Sequence, residues 1–225
     1  MHPVEIRPLA TPDASLAAGL LARGMRDNPT HVQAFGADPA RRERTLLGIF
    51  TPFLARQLND SLVLGAFAGQ QLVGVAALAA PGRCQPTFTD KRRALPALLA
   101  NGPVSALRMR AWVRLWAKRD ARLPAHWHLG PLAVEPAWQG QGVGSRLLAQ
   151  LCDQLDQQRG LGYLETDRPE NVQLYRRFGF ETLATEPVIG VNHWFMLREA
   201  TILDPTPQRS LNHEETHSCL WPPER

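Results

Sequence analysis

Gln139-Gly140-Gln141-Gly142-Val143-Gly144-Ser145 stands between an apolar run, Trp127 to Val134, and an amphipathic helical segment that extends to Gln158. A strand, a glycine turn and a Gly-initiated helix in that order place the chain in the α/β class. Glycines at alternate positions let backbone N–H groups turn inward, and the helix that follows adds the positive end of its dipole. Together they make an anion site suited to a pyrophosphate. A plain turn would not need three glycines so spaced.

Two ligand classes compete for such a loop. A dinucleotide fold places Gly-x-Gly-x-x-Gly/Ala hard against its strand, with an acidic residue some twenty positions on, and Glu165 mimics that acid. However, Glu135-Pro136-Ala137-Trp138-Gln139 separate the strand from the first glycine, and Ser145 occupies the third position of the pattern. Only 60 residues follow Glu165, too few for a doubly wound sheet. A Walker-type loop is absent, because no Gly-Lys-Ser/Thr follows the glycines.

Working outward, Leu161–Thr166 reads as a strand, Pro169–Phe178 as a short helix, and Phe180–Thr185 and Val191–Leu197 as two further strands. Upstream, Val4 to Leu9 alternates like a half-buried strand. Thr11-Pro12-Asp13 caps a helix that runs to about Leu21–Arg23, and Asp27-Asn28-Pro29 breaks it. Asp38-Pro39 starts a second helix with Leu46, Leu47, Phe50, Phe53 and Leu54 on one face. Residues 61–68 and 71–79 form two strands joined by a tight Gly69-Gln70 turn. Residues 81–125 read as a basic helical insert, with Lys91, Arg92, Arg93, Arg108, Arg110, Arg114, Lys118, Arg119 and Arg122 against Asp90 and Asp120. Helical spacing puts Leu107, Ala111 and Leu115 on one stripe and Arg110, Arg114 and Lys118 on another, with Trp112 and Trp116 between. Such a helix suits a packed position with a solvated charged face, a wall of a substrate pocket, or a membrane or RNA surface.

Composition bounds the rest. In 225 residues, 44% are hydrophobic and 20% charged, which supplies a core and excludes wholesale disorder. The longest apolar run, Leu72 to Ala80, falls far short of the roughly 20 residues a membrane helix needs. No membrane span and no secretory leader are expected. Cys84, Cys152 and Cys219 are widely spaced and form no C-x-x-C motif, so neither disulfides nor a metal is expected, and a cytoplasmic location fits. The formal net charge of +4 tolerates anionic ligands without requiring nucleic acid, which is not expected as a partner. Residues 200–225, with Pro205, Pro207, Pro222 and Pro223, read as a flexible tail.

At residues 126–198 the chain resembles the GNAT acetyltransferase superfamily. Leu132-Ala133-Val134-Glu135-Pro136 leads into the Gln/Arg-x-x-Gly-x-Gly/Ala signature, here Gln139 to Gly144. Glu165-Thr166, Asn171 and Leu174-Tyr175-Arg176-Arg177-Phe178-Gly179-Phe180 follow at the family's spacing. Over residues 4–80 only the order of elements matches.

The resemblance implies one domain over residues 1–199. Its central twisted mixed sheet would have six to seven strands, helices on both faces, and a V-shaped splay between the fourth and fifth strands. It also implies acetyl-CoA as donor and an amine as acceptor, without a metal, in a monomer or homodimer. The pyrophosphate would rest on Gln139, Gly140, Gln141, Gly142, Val143, Gly144 and Ser145, with the pantetheine arm along Leu132, Ala133 and Val134 and against Asn171. Gly130 and Pro131 suit a bulge whose freed amide polarises the thioester. Tyr175 matches the acid that protonates the departing thiolate. His128 matches the position of a base, with Glu165, Glu135 or water as rivals. Arg26 to His31 and Phe35 fall where the family's acceptor wall stands. The absence of an acidic run points away from polycationic acceptors. A CoA-binding protein without activity, an RNA-associated acetyltransferase and a dinucleotide-binding protein are the alternatives.

Overall fold

The computed structural model describes residues 3–200. Its strands are Val4–Pro8 (β1), Ser61–Ala68 (β2), Gln71–Ala79 (β3), Trp127–Val134 (β4), Gly162–Thr166 (β5), Glu181–Val188 (β6) and Val191–Arg198 (β7). They form one seven-stranded sheet in the order β1-β2-β3-β4-β5-β7-β6, antiparallel except between β4 and β5. The helices are Ala14–Met25 (α1), Pro29–Phe35 (α2), Pro39–Asp60 (α3), Phe88–Ala100 (α4), Pro103–Asp120 (α5), Val143–Gln157 (α6) and Pro169–Arg176 (α7).

β2 and β3 are almost wholly apolar because both of their faces are covered. On one side Val63, Val75 and Ala77 meet Ala17, Ala18, Leu20 and Leu21 of α1, with α2, α3 and Trp112 of α5 behind. On the other, Leu64, Ala76 and Leu78 meet Leu147, Leu148, Leu151 and Leu155 of α6, with Val172 and Tyr175 of α7. This is the expected mixed sheet with helices on both faces. The Gly69-Gln70 hairpin is also present, with Ala68 opposite Gln71 and Gly69 in the left-handed region at φ 61°.

The parallel ladder between β4 and β5 has only two pairs, Trp127 with Gly162 and His128 with Tyr163, so the strands part beyond them. On its other edge β4 stays paired to β3, but Gly130 and Pro131 together oppose Ala77 alone, between the pairs Leu129–Leu78 and Leu132–Ala76. The bulge thus stands where the strands diverge. It re-aims the backbone of Leu132 to Val134 along an edge that β5 no longer covers.

Three features depart from the sequence reading. Asn28-Pro29 ends one helix and also starts another, because a proline at the first helical position gives up no internal hydrogen bond. Residues 81–125 form two helices that break at Asn101-Gly102, where Gly102 adopts φ 100°. The side chain of Asn101 donates to Phe35 O at 3.0 Å, fixing that corner.

The third departure concerns the orientation of α5. Leu107, Ala111 and Leu115 are exposed beside Arg110, Arg114 and Lys118, while Ser105 and Trp112 are buried, with Met109 and Trp116 partly so. Spacing alone allows either stripe to face inward. The tryptophan face offers far more area to bury and meets other rings across the interface, so it goes in. Leu47 of α3 likewise points to solvent. The expected tail lies outside the described residues apart from Ala200.

Candidate active site

The glycine turn is built as its residue types require. Gly140 and Gly142 sit at φ 73° and 79°, conformations costly to a residue with a Cβ, so α6 starts at Val143 rather than at Gly140. Gly142 is the N-cap and supplies no side-chain acceptor, which leaves first-turn amides of α6 turned outward. The Gln139 side chain ties the turn to its strand by donating to Val134 O at 3.0 Å. A Cβ on Gly144 would touch the side chains of Val134 and Leu132 at 3.6 and 3.8 Å, so the helix start packs on the stretch of β4 that β5 no longer covers. An array of N–H donors and an unpaired strand edge therefore meet in one place, among Leu132, Ala133, Val134 and residues 139–145.

Two further expected residues flank the splay. Asn171 of α7 donates a long bond, 3.5 Å, to the Thr166 hydroxyl at the end of β5. Tyr175, one turn on, is buried and packs edge-to-face on Phe180 at 6.1 Å. Burial pushes its phenol up to about 12, and the charge of Asp167 adds to the shift. It therefore holds its proton at neutral pH.

His128 and Glu165 meet. Strand alternation places both on the α5 side of the sheet, and His128 Nε2 lies 3.0 Å from Glu165 Oε2. The two residues named from the sequence as rival bases are thus partners. Burial would lower the His128 imidazole, but the charge of Glu165 and hydrogen bonding to Cys84 and Glu165 outweigh it and raise it to about 10. Glu135 is committed elsewhere, to Arg23, whose Nε donates to it at 3.0 Å and whose Nη2 is closer still.

Behind the pair lies a group that no sequence motif announced. Cys84, from the loop after β3, and Asp120, at the end of α5, converge with His126 and His128. The one local signal is the His-x-His alternation of His126-Trp127-His128. Burial would raise the Cys84 thiol, but hydrogen bonds from His126 and His128 and the charge of His128 hold it below its ordinary value. Asp167 also escaped the sequence reading. Its carboxylate accepts from Thr30 N at 2.8 Å and so joins the end of β5 to the start of α2.

Two residues expected at the acceptor wall, His31 and Phe35, are instead buried in a connected aromatic cluster. His31 lies 5.3 Å from Trp112, Trp112 lies 5.0 Å from Trp116, and Trp116 lies 6.2 Å from His193. His31 Nδ1 donates to Met25 O at 2.7 Å, and burial keeps the imidazole below its ordinary value. The loops beside the cluster hang on Arg42 of α3. This buried guanidinium donates to Arg26 O at 2.7 Å, Gly36 O at 2.8 Å and Asp27 Oδ1 at 2.6 Å.

Asp27 is mostly exposed, so its ion pair contributes little, and the two carbonyls carry the effect. Arg42→Ala should destabilise the fold by about 3 kcal/mol through those unsatisfied acceptors. The check is a lowered urea midpoint at unchanged slope.

Comparison with known proteins agrees with this geometry. Residues 101–182 match the family model described as an acetyltransferase (GNAT) domain. The chain is 40% identical over 60 residues to the N-alpha-acetyltransferase RimI of Mycobacterium tuberculosis, a stretch that covers 26% of this chain and 37% of that protein. It spans 23% of another curated relative, from Mycobacterium leprae, so it covers well under half of the curated relatives it matches.

Among solved structures, it resembles that of a histone acetyltransferase HPA2 and related acetyltransferase from Corynebacterium glutamicum. The TM-score is 0.63 at 20% identity, covering 92% of this chain and 99% of the other. It also resembles the PaiA N-acetyltransferase of Thermoplasma acidophilum in complex with coenzyme A, with TM-score 0.58 at 15% identity, covering 88% and 99%. A mixed sheet that splays after two parallel pairs, a glycine turn opening α6 beside the uncovered stretch of β4, and these matches agree: residues 101–182 are similar to the GNAT acetyltransferase domain, within a chain that has the fold of the solved acetyltransferases.

Proposed function

We propose that residues 3–199 act as a single acetyl-CoA-dependent N-acetyltransferase domain that transfers the acetyl group directly to a primary amine. The observation that carries this reading is the N-terminus of α6, which has no side-chain cap and is set by Gly140 and Gly142 beside Leu132 and Val134, in the stretch of β4 that β5 no longer covers. The first-turn amides of α6 suit the pyrophosphate of CoA. The uncovered edge of Leu132 to Val134 suits the amides of the pantetheine arm, which would extend the sheet as an added strand does. The coenzyme A held by the Thermoplasma structure supports the same donor here.

In the transfer, the amine nitrogen attacks the thioester carbonyl carbon, the C–N bond forms and the C–S bond breaks. Tyr175 gives its proton to the departing thiolate sulfur. The amine's proton passes to water. His128 is not free to take it, because Nε2 is bound to Glu165 and Nδ1 is buried.

The acceptor is a small neutral or anionic amine. The exposed Arg110, Arg114 and Lys118 of α5 offer no acidic groove to a polycation.

Calorimetric titration of the full chain with acetyl-CoA, and separately with NADH, tests the donor. Micromolar binding of acetyl-CoA without binding of NADH is expected. Binding of NADH alone would overturn the assignment.

A further inference from the structure

We propose that Cys84, Asp120, His126 and His128 form a four-ligand site for a divalent transition-metal ion of the zinc class. One donor atom from each residue lies within 4.8 Å of all the others. They come from the β3–α4 loop, the end of α5, the segment after it and β4, so distant parts of the chain converge on one point.

The ring nitrogens show why the group suits a cation. His126 Nδ1 lies 2.8 Å from Pro124 O, and a carbonyl can only accept, so Nδ1 carries the proton. Nε2 of the neutral ring then presents a lone pair. It sits 2.9 Å from Asp120 Oδ1, lacks hydrogen-bond alignment, and belongs to a side chain only 6% exposed. In His128 the assignment is reversed. Nε2–H faces Glu165 at 3.0 Å, leaving Nδ1 buried beside Cys84 without an aligned hydrogen bond. Cys84 Sγ lies 3.4 Å from Asp120 Oδ1.

Two imidazole nitrogens, a carboxylate and a thiol therefore face a common centre. Each ring is oriented by a bond on its far nitrogen, in one case to a carboxylate, which is how metal-bound histidines are held. On ligation the thiol and the Nδ1 of His128 each give up a proton to solvent. The resulting thiolate and carboxylate carry two negative charges, which balance a dication. Nitrogen and sulfur donors select zinc or cobalt over calcium or magnesium. Four protein ligands leave no open position, so the ion pins the α4–α5 insert to β4. Glu165 becomes a positioning residue for His128.

The full chain, stripped by a chelator, is titrated with Co2+. One equivalent should produce a thiolate-to-cobalt charge-transfer band together with the intense visible bands of tetrahedral cobalt, both lost on adding Zn2+. Cys84→Ser should abolish the charge-transfer band, and Cys152→Ser, a buried cysteine elsewhere, should leave it unchanged. Glu165→Gln should weaken Zn2+ affinity about 10- to 100-fold in competition with a chromophoric chelator. A folded wild-type chain that shows no cobalt band would overturn the site whatever the variants do. So would a band that survives Cys84→Ser, or alkylation of Cys84 at a rate Zn2+ does not change.

Discussion

Gly142→Glu should lower the affinity for acetyl-CoA about 100-fold while leaving the protein folded. Space is not the obstacle, since a Cβ at Gly142 would meet nothing within 4 Å. The backbone is at φ 79°, ψ 0°, a left-handed conformation that costs a residue with a Cβ about 1–2 kcal/mol. That strain falls on the N-cap of α6 and disturbs the aim of its first amides. The carboxylate adds a like charge beside the pyrophosphate. At about 5 Å and an effective dielectric near 20, one such pair costs about 3 kcal/mol, roughly two decades in affinity. Calorimetric titration with acetyl-CoA measures this directly, and Gly142→Ala separates the two causes, because it keeps most of the strain and none of the charge. Wild-type affinity in Gly142→Glu would place the pyrophosphate elsewhere.

Tyr175→Phe should reduce kcat by about 100- to 1000-fold, the range for loss of a positioned general acid, with acetyl-CoA affinity nearly unchanged. The phenol is buried against Phe180, and phenylalanine fills the same packing space, so stability should barely move. The pH dependence is a second signature. A phenol pushed up to about 12 by burial keeps its proton through the neutral range, so its ionisation adds no descending limb to kcat below that pH. Its effect on stability has the same sign. The unfolded chain loses this proton near pH 10 and the native one later, so the native advantage is full below about 10 and is lost between there and about 12. An unchanged kcat in Tyr175→Phe would remove the acid and leave solvent to protonate the thiolate.

What the sequence disclosed depended on how locally each feature is determined. The turn at Gly140 to Gly142 and the hairpin at Gly69 are dictated by conformations that few residues other than glycine adopt cheaply, so adjacent residues sufficed to find them. The bulge at Gly130-Pro131 was readable for the same reason. The orientation of α5 was not, because Leu107 and Trp112 lie on stripes of equal periodicity. What decides between them is His31 and His193, which are remote in sequence. His128 and Glu165 were each recognisable as chemically able. Their 3.0 Å contact required knowing that two neighbouring parallel strands turn those positions to one face. Cys84 and Asp120 gave no sign, since their meaning comes only from the segments that fold against β4.

The strand order has a consequence for how the chain is made. β7, although last among the described elements, lies inside the sheet between β5 and β6. Until Val191 to Arg198 has left the ribosome, β5 has a bare hydrogen-bonding edge and Arg198 cannot reach Asp156 or Phe178 O. A nascent chain stopped near residue 190 would hold the whole glycine turn and α7 beside an open strand edge, a template for pairing with another copy. Completion of the half that carries the glycine turn therefore waits on the β6–β7 hairpin, and the vulnerable interval in biosynthesis is the emergence of β7.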